Sequence, residues 1–181
     1  MKQYFLKPHL NYTFDLIQSE DFKILAMFRQ SPEIMSDLDQ EPESDEVVYK
    51  LLSNMFPNSA KPNSLWWLIN YNSTIIGNFG LKVDYKNYRA EIGYVLFKDY
   101  RKNGHMTNLL PHLLEYAFVT LNLHSIEARI NPKNSASKQL LLKFGFIKEA
   151  YFKQDYFYKN SFMDTEAYSL LKTNFVPRET I

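Results

Sequence analysis

The 181-residue chain contains no cysteine, which removes disulfides, thiolate metal sites and a cysteine nucleophile from consideration. Glycine is scarce as well, 5 residues of 181, against a usual share of about 7%. In such a chain each glycine is expected where a side chain would be costly: Gly77, Gly80, Gly93, Gly104 and Gly145. Charge of one sign is also lacking. The 21 Lys and Arg against 20 Asp and Glu leave a net charge of +1, without the basic excess of a dedicated nucleic-acid binder. No apolar run approaches the ~20 residues of a membrane span; the longest is Leu65 to Ile69. Met1 to Leu10 carries Lys2, Lys7, Pro8 and His9 and no apolar signal-peptide core. The expectation is a cytoplasmic protein with neither nucleic acid nor membrane as partner.

The length suits one compact domain spanning residues 1–181. Hydrophobic residues at 45% and charged residues at 23% are near the globular average, while aromatics reach 16%. The order of elements reads as mixed α/β. Tyr4 to Ile17, with Phe5, Phe14, Leu16 and Ile17, suits a first strand or strand pair. A helix from Glu20 to about Arg29 is expected behind a Ser19 cap, with Phe22, Leu25, Ala26 and Phe28 inward. Pro32 to Ser44 reads as a loop because proline interrupts it twice. Ser44, Asp45 and Glu46 open a second helix to about Phe56, with Val47, Val48, Leu51, Leu52 and Met55 at helical spacing, broken by Pro57 to Pro62. Leu65 to Tyr71, Thr74 to Asp84 and Arg89 to Phe97 read as three consecutive antiparallel strands, the first two joined by an Asn72-Ser73 turn.

The strongest helical stripe follows, Leu109, Leu110, Leu113, Leu114, Ala117, Phe118 and Leu121. Pro111 lies within it. Either the regular helix starts near Asn108, putting Pro111 in the first turn, or it is kinked there. Ser125 to Asn131 reads as a strand, and Ser135 to Phe144 as a short helix stopped by Gly145. Phe146 to Tyr158 and Met163 to Leu171 close the chain as two strands joined near Lys159-Asn160-Ser161. These aromatic-rich strands offer an apolar surface for a homodimer.

Two polar clusters carry the chemistry. Tyr100-Arg101-Lys102-Asn103-Gly104-His105-Met106-Thr107 joins a strand to the long helix. A helix N-terminus there directs amides and the positive dipole end toward an anion such as a pyrophosphate, with Arg101 and Lys102 adding charge. An ordinary strand-to-helix connection explains the same loop. The second cluster, Asn131-Pro132-Lys133-Asn134-Ser135-Ala136-Ser137, opens the short helix. Asn134 or Ser135 as its cap is the plain account; two such helix starts can also converge at one sheet edge, one holding phosphates and the other a thioester arm.

Taken in order, Arg101-x-x-Gly104-x-Met106-Thr107, Asn134-x-x-Ser137, Gly145-Phe146 and Asp164 before Tyr168-Ser169-Leu170-Leu171 resemble the GNAT N-acetyltransferases. Within them the run is similar to the ribosomal-protein alanine and serine N-acetyltransferases (RimJ/RimL-like). The resemblance implies an α/β (α+β) GNAT fold: a mixed, mostly antiparallel sheet with a splayed central strand pair and helices on both faces. It implies acetyl-CoA as co-substrate, with pantetheine along Ile92, Gly93, Tyr94, Val95 and Leu96. The pyrophosphate then lies on Arg101, Lys102, Asn103, Gly104, His105, Met106 and Thr107. His105 also reads simply as a loop histidine.

Glu91 is then the candidate base, against a surface glutamate paired with Arg89 or Lys98. Ser137 is the candidate for protonating the departing thiolate, against a capping serine, and Asn134 for orienting the arm. Direct attack by the acceptor amine is the implied route. The chain departs from the family at Leu141, where many members carry a tyrosine acid, at Met106, where a small residue is usual, and at Asn108-Leu109, where the group reads Glu-Ala.

Six acids between Asp37 and Glu46, with no base among them, would attract a cationic acceptor if they border the acceptor side as in the resembled family. A solvated loop leading into a helix explains them too. Tyr85, Tyr88, Tyr156 and Tyr158 are candidate cation–π partners. Three functions fit: a protein N-terminal alanine or serine acetyltransferase; a small-molecule N-acetyltransferase acting on a polyamine, aminoglycoside or amino acid; and a catalytically weak acyl-CoA-binding module. His9, His105, His112 and His124 show no ligand spacing, so no metal is expected.

Overall fold

The computed structural model describes residues 10–18, 20–55 and 62–177. The expected strand start at Tyr4 and Phe5, His9, the Ser19 cap, the helix end at Phe56, the break from Pro57 and the side chains of Leu52 and Met55 lie outside the described residues. Among the described residues, seven strands form one sheet in the order β1-β2-β3-β4-β5-β7-β6. The chain divides into two units, Met1–Leu81 with Tyr94–Asp99, and Lys82–Gly93 with Tyr100–Ile181. β3 (Thr74–Asp84) and β4 (Arg89–Leu96) contribute residues to both.

In the first unit β1 (Tyr12–Leu16) pairs antiparallel with β2 (Ser64–Tyr71), from Tyr12 opposite Tyr71 to Leu16 opposite Trp67. β2 turns into β3 through Asn72 and Ser73, both at positive φ of 48° and 64°, the geometry of a two-residue hairpin. α1 (Phe22–Arg29) buries Leu25, Ala26 and Phe28, and Phe28 stacks on Phe97 with ring centroids 4.9 Å apart. α3 (Asp45–Met55) adds Val48 to the same core, with Ile17, Ile34 and Leu68. Gly77 allows a close approach here, since a Cβ would lie 2.2 Å from the Val95 carbonyl oxygen.

The stretch from Pro32 to Ser44 is not wholly loop. Pro32–Asp37 forms α2, because proline at the first helical position lacks an N–H that would have no helical acceptor. Ser31 Oγ caps it by accepting from the Ile34 amide at 3.4 Å, and Ile34 and Met35 are buried beneath. Glu43 then ties the following segment back to α1 through the Arg29 guanidinium, with the Arg29 Nε bond at 2.9 Å.

In the second unit, β4 pairs in parallel with β5 (Ser125–Ile130) over Arg89–Glu91 against Ser125–Glu127. Both strands continue past that pairing, β4 to Leu96 and β5 to Ile130. β5 pairs antiparallel with β7 (Ser161–Leu171), which pairs antiparallel with β6 (Ile147–Tyr158). α4 (His105–Glu115) precedes β5 and α5 (Ser135–Lys143) follows it. α4 buries Leu109, Leu110, Leu113 and Leu114, and continues as a π-helical segment, Tyr116–Thr120, that buries Tyr116, Ala117 and Phe118. Because α4 starts at His105, Pro111 lies inside it rather than in its first turn and has no N–H to give the carbonyl four residues back. No helix among the described residues is long and apolar enough to cross a membrane.

Candidate active site

Lys102 at φ +62° and Gly104 at φ +78° bend the chain into α4. Gly104 is the N-cap and no side chain caps the helix, so the first-turn amides have no acceptor within the helix and face outward. A Cβ built on Gly104 meets nothing within 4 Å; the space beside those amides is open. Arg101 is half-buried, and Lys102 and Asn103 are exposed. The loop therefore fits a pyrophosphate: donors, dipole, cations and room coincide. Met106 and Thr107 are half-buried in the first turn. His105 is not a loop residue; it is the first residue of α4, buried, with its ring centroid 6.0 Å from that of Tyr100. Burial holds its imidazole below the usual pKa, favouring the neutral form.

On β4, Ile92 and Leu96 are buried while Gly93, Tyr94 and Val95 are half-buried. Glu91 is exposed and stands in register with Glu127 of β5. The alternative, a pairing with Arg89 or Lys98, is absent among the described residues: Arg89 reaches Asp84 at 3.4 Å and Lys98 faces Glu33 at 3.5 Å. The carboxylate of Glu91 is thus not committed to either cation.

At the start of α5 the cap is Asn134, whose Oδ1 accepts from the Ser137 amide at 3.0 Å. That corrects the capping alternative for Ser137, since its side chain makes no cap and, among the described residues, its hydroxyl has no hydrogen-bond partner. Ser135 is the first residue of α5, so it is not the cap either. Leu141, at the position where many members carry a tyrosine acid, is fully buried.

Residues 12–147 match the family model described as an acetyltransferase (GNAT) domain. The chain belongs to that family. It is an acetyl-CoA-dependent N-acetyltransferase of the GNAT type. Over 163 residues it is 28% identical to the uncharacterized N-acetyltransferase p20 of Bacillus licheniformis, covering 88% of this chain and 92% of that protein. Over 141 residues it is 33% identical to the uncharacterized N-acetyltransferase YoaA of Bacillus subtilis, with coverage of 76% and 77%. In fold it is similar to the crystal structure of spermidine N-acetyltransferase from Vibrio cholerae in complex with CoA and spermine. That match has a TM-score of 0.80 at 20% identity, over 91% of this chain and 97% of that one.

The contacts of one residue the sequence singled out, and the whole of another, escape sequence inspection. Asp164, part of the family pattern, accepts from the Gln154 amide at 2.7 Å and from the Tyr151 hydroxyl. It holds the bulge where the β6–β7 register shifts between Phe152 and Tyr156, and the Tyr151 bond keeps its carboxyl below the usual range. Glu166, two residues on, is 3% exposed and gathers Lys148, Lys138 and Tyr168. The signal in the sequence was a lone acid within an otherwise uncharged strand run, Thr165 to Leu171.

Proposed function

We propose that this acetyltransferase acetylates a cationic primary amine by direct attack, with Glu91 as base and Ser137 as proton donor on the leaving side. Acetyl-CoA supplies an already activated thioester, so the protein's tasks are positioning and proton transfer. The observation that carries the reading is the uncapped start of α4 behind Gly104, beside Arg101 and Lys102. Backbone groups of Ile92, Gly93, Tyr94, Val95 and Leu96 are the proposed seat of the pantetheine arm. Asn134 spends its Oδ1 on the cap, leaving its Nδ2 to orient that arm. Glu91 Oε takes a proton from the acceptor ammonium, directly or through water, and the free amine so formed attacks the thioester carbonyl. Ser137 Oγ gives its proton to the departing sulfur, a role for which its hydroxyl is uncommitted.

The motif resemblance supports an alanine or serine N-terminus of a protein as acceptor. A polyamine is the second reading. It is favoured by Asp37, Glu41, Asp45 and Glu46, which are all exposed, and by the fold shared with a polyamine enzyme. The exposed Phe157 and Phe162, with centroids 5.2 Å apart at the β6–β7 tip, support a homodimer through the C-terminal strands.

Thiol release from acetyl-CoA over alanine- and serine-terminated peptides, polyamines and aminoglycosides tests the reading. Turnover with one amine class is the expected result, and the class chooses the acceptor. Glu91→Gln should lower that turnover and alter its pH profile without changing acetyl-CoA affinity. Silence across the panel in a protein still thermally stabilised by acetyl-CoA would mean an acceptor outside the panel or a binding module. Wild-type turnover of Glu91→Gln across pH removes Glu91 from the mechanism.

A further inference from the structure

Glu166 sits on β7 opposite Ile130, the last residue of β5, and opposite Tyr151 of β6. The chain leaves β5 at that point and turns through Asn131, Lys133 and Asn134 into α5, the turn being closed by the Lys133 amide on Asn131 Oδ1 at 2.8 Å. The Glu166 carboxylate thus lies beneath the start of the helix that carries Ser137. An isolated carboxylate at 3% exposure would be strongly unfavourable. Lys148 Nζ donates to Oε1 at 2.7 Å and the Tyr168 hydroxyl to Oε2 at 2.7 Å. Those two donors, one cationic, serve both oxygens from the strands alone.

Yet a third donor arrives from the helix: Lys138 Nζ is 3.3 Å from Oε2. Lys138 directly follows Ser137 in α5, and its side chain is 39% exposed, so water could have solvated the ammonium elsewhere. What the strands do not need, the helix does. α5 buries little of its own surface, Leu141 being its one buried residue, so apolar packing leaves its first turn weakly located.

We infer that Glu166 is a positioning residue for acetyl transfer, holding the first turn of α5, and with it the Ser137 hydroxyl, through the ion pair with Lys138. The inference rests on the proposed role of Ser137, and the test separates the two.

Lys138 and Lys148 bind the same carboxylate, but only Lys138 belongs to the helix. Lys138→Met should lower kcat about tenfold, the scale of a small misplacement at a reacting centre, with KM for acetyl-CoA within about twofold of wild type. Lys138→Arg, which keeps the cation, should recover most of the loss. Lys148→Met should lower the melting temperature at least as much while leaving kcat within about twofold. Equal losses of turnover in the two methionine variants, or wild-type kcat in Lys138→Met, overturn the inference. Ser137→Ala, measured alongside, keeps the readings apart. A normal Ser137→Ala beside a slowed Lys138→Met removes the serine's role and upholds the tie. A slowed Ser137→Ala beside a normal Lys138→Met does the reverse.

Discussion

Gly104 sets the backbone at the start of α4 and, in the proposed function, leaves room there for the ligand. Its φ of +78° is a conformation that any other L-residue adopts at a cost, while the space beside it is open. Alanine there should therefore cost about 1 kcal/mol of stability through backbone strain alone and change acetyl-CoA affinity little. Aspartate should add a carboxylate beside the phosphate-facing amides and weaken binding about tenfold or more. Arg101→Ala should weaken it as well. Calorimetric titration of acetyl-CoA into the three variants checks this; unchanged affinity in both Gly104→Asp and Arg101→Ala would falsify the phosphate-loop assignment. The scarcity of glycine made this residue legible from composition. Asn134 and Ser137 were not separable in the same way. Both types cap helices, and only the Asn134 Oδ1 bond to the Ser137 amide decides between them.

Among the elements, hairpins and helices differ in how plainly they announce themselves. The β2–β3 turn was visible as Asn72-Ser73 between two apolar runs, and the structure puts both residues at positive φ. Ser73 is the unfavourable member, since asparagine tolerates this region and serine does not. Ser73→Gly should stabilise the protein by about 0.5–1 kcal/mol, a rise of about 1–4 °C in melting temperature for a chain of this size. A calorimetric scan showing no rise would mean that the turn is not under strain. α2 was hidden because its proline reads as a breaker, although at the first helical position it starts the helix. Pro111 misleads in the opposite sense. It suggested a helix beginning later or kinked there; the helix begins at His105, so the later start is ruled out and Pro111 lies inside it.

At the scale of the whole molecule, the buried carboxylate of Glu166 links stability to pH. Its bond with Lys148, then those with Tyr168 and Lys138, outweigh desolvation and lower its pKa from 4.5 to about 2. A depressed carboxylate contributes stability above its unfolded pKa and loses it as pH falls through the folded one. Unfolding midpoints in urea should therefore decline from about pH 5 toward pH 2, beyond what the exposed acids produce. Tyr168 acts at the other end. Burial and Glu166 raise its pKa from 10.0 to about 12, so its contribution is complete below pH 10 and is lost between those values. Glu166→Gln should flatten the acid limb relative to wild type. A parallel acid limb in the variant would show that Glu166 does not carry the linkage.

The sequence by itself determined the strands and helices in their order, α2 apart, and the family. Each rests on short-range information: apolar periodicity, turn residues, and a glycine just before a helix. Tertiary structure alone decided which acids are spent and which are available. Glu43 is drawn to Arg29 across 14 positions, Glu166 takes Lys148 across 18, and Asp164 closes a bulge 10 residues away, while Glu91 takes neither Arg89 nor Lys98. Such choices depend on strand pairing and burial. A carboxylate finds its partner by the register of the sheet, and no local pattern in the chain records that register.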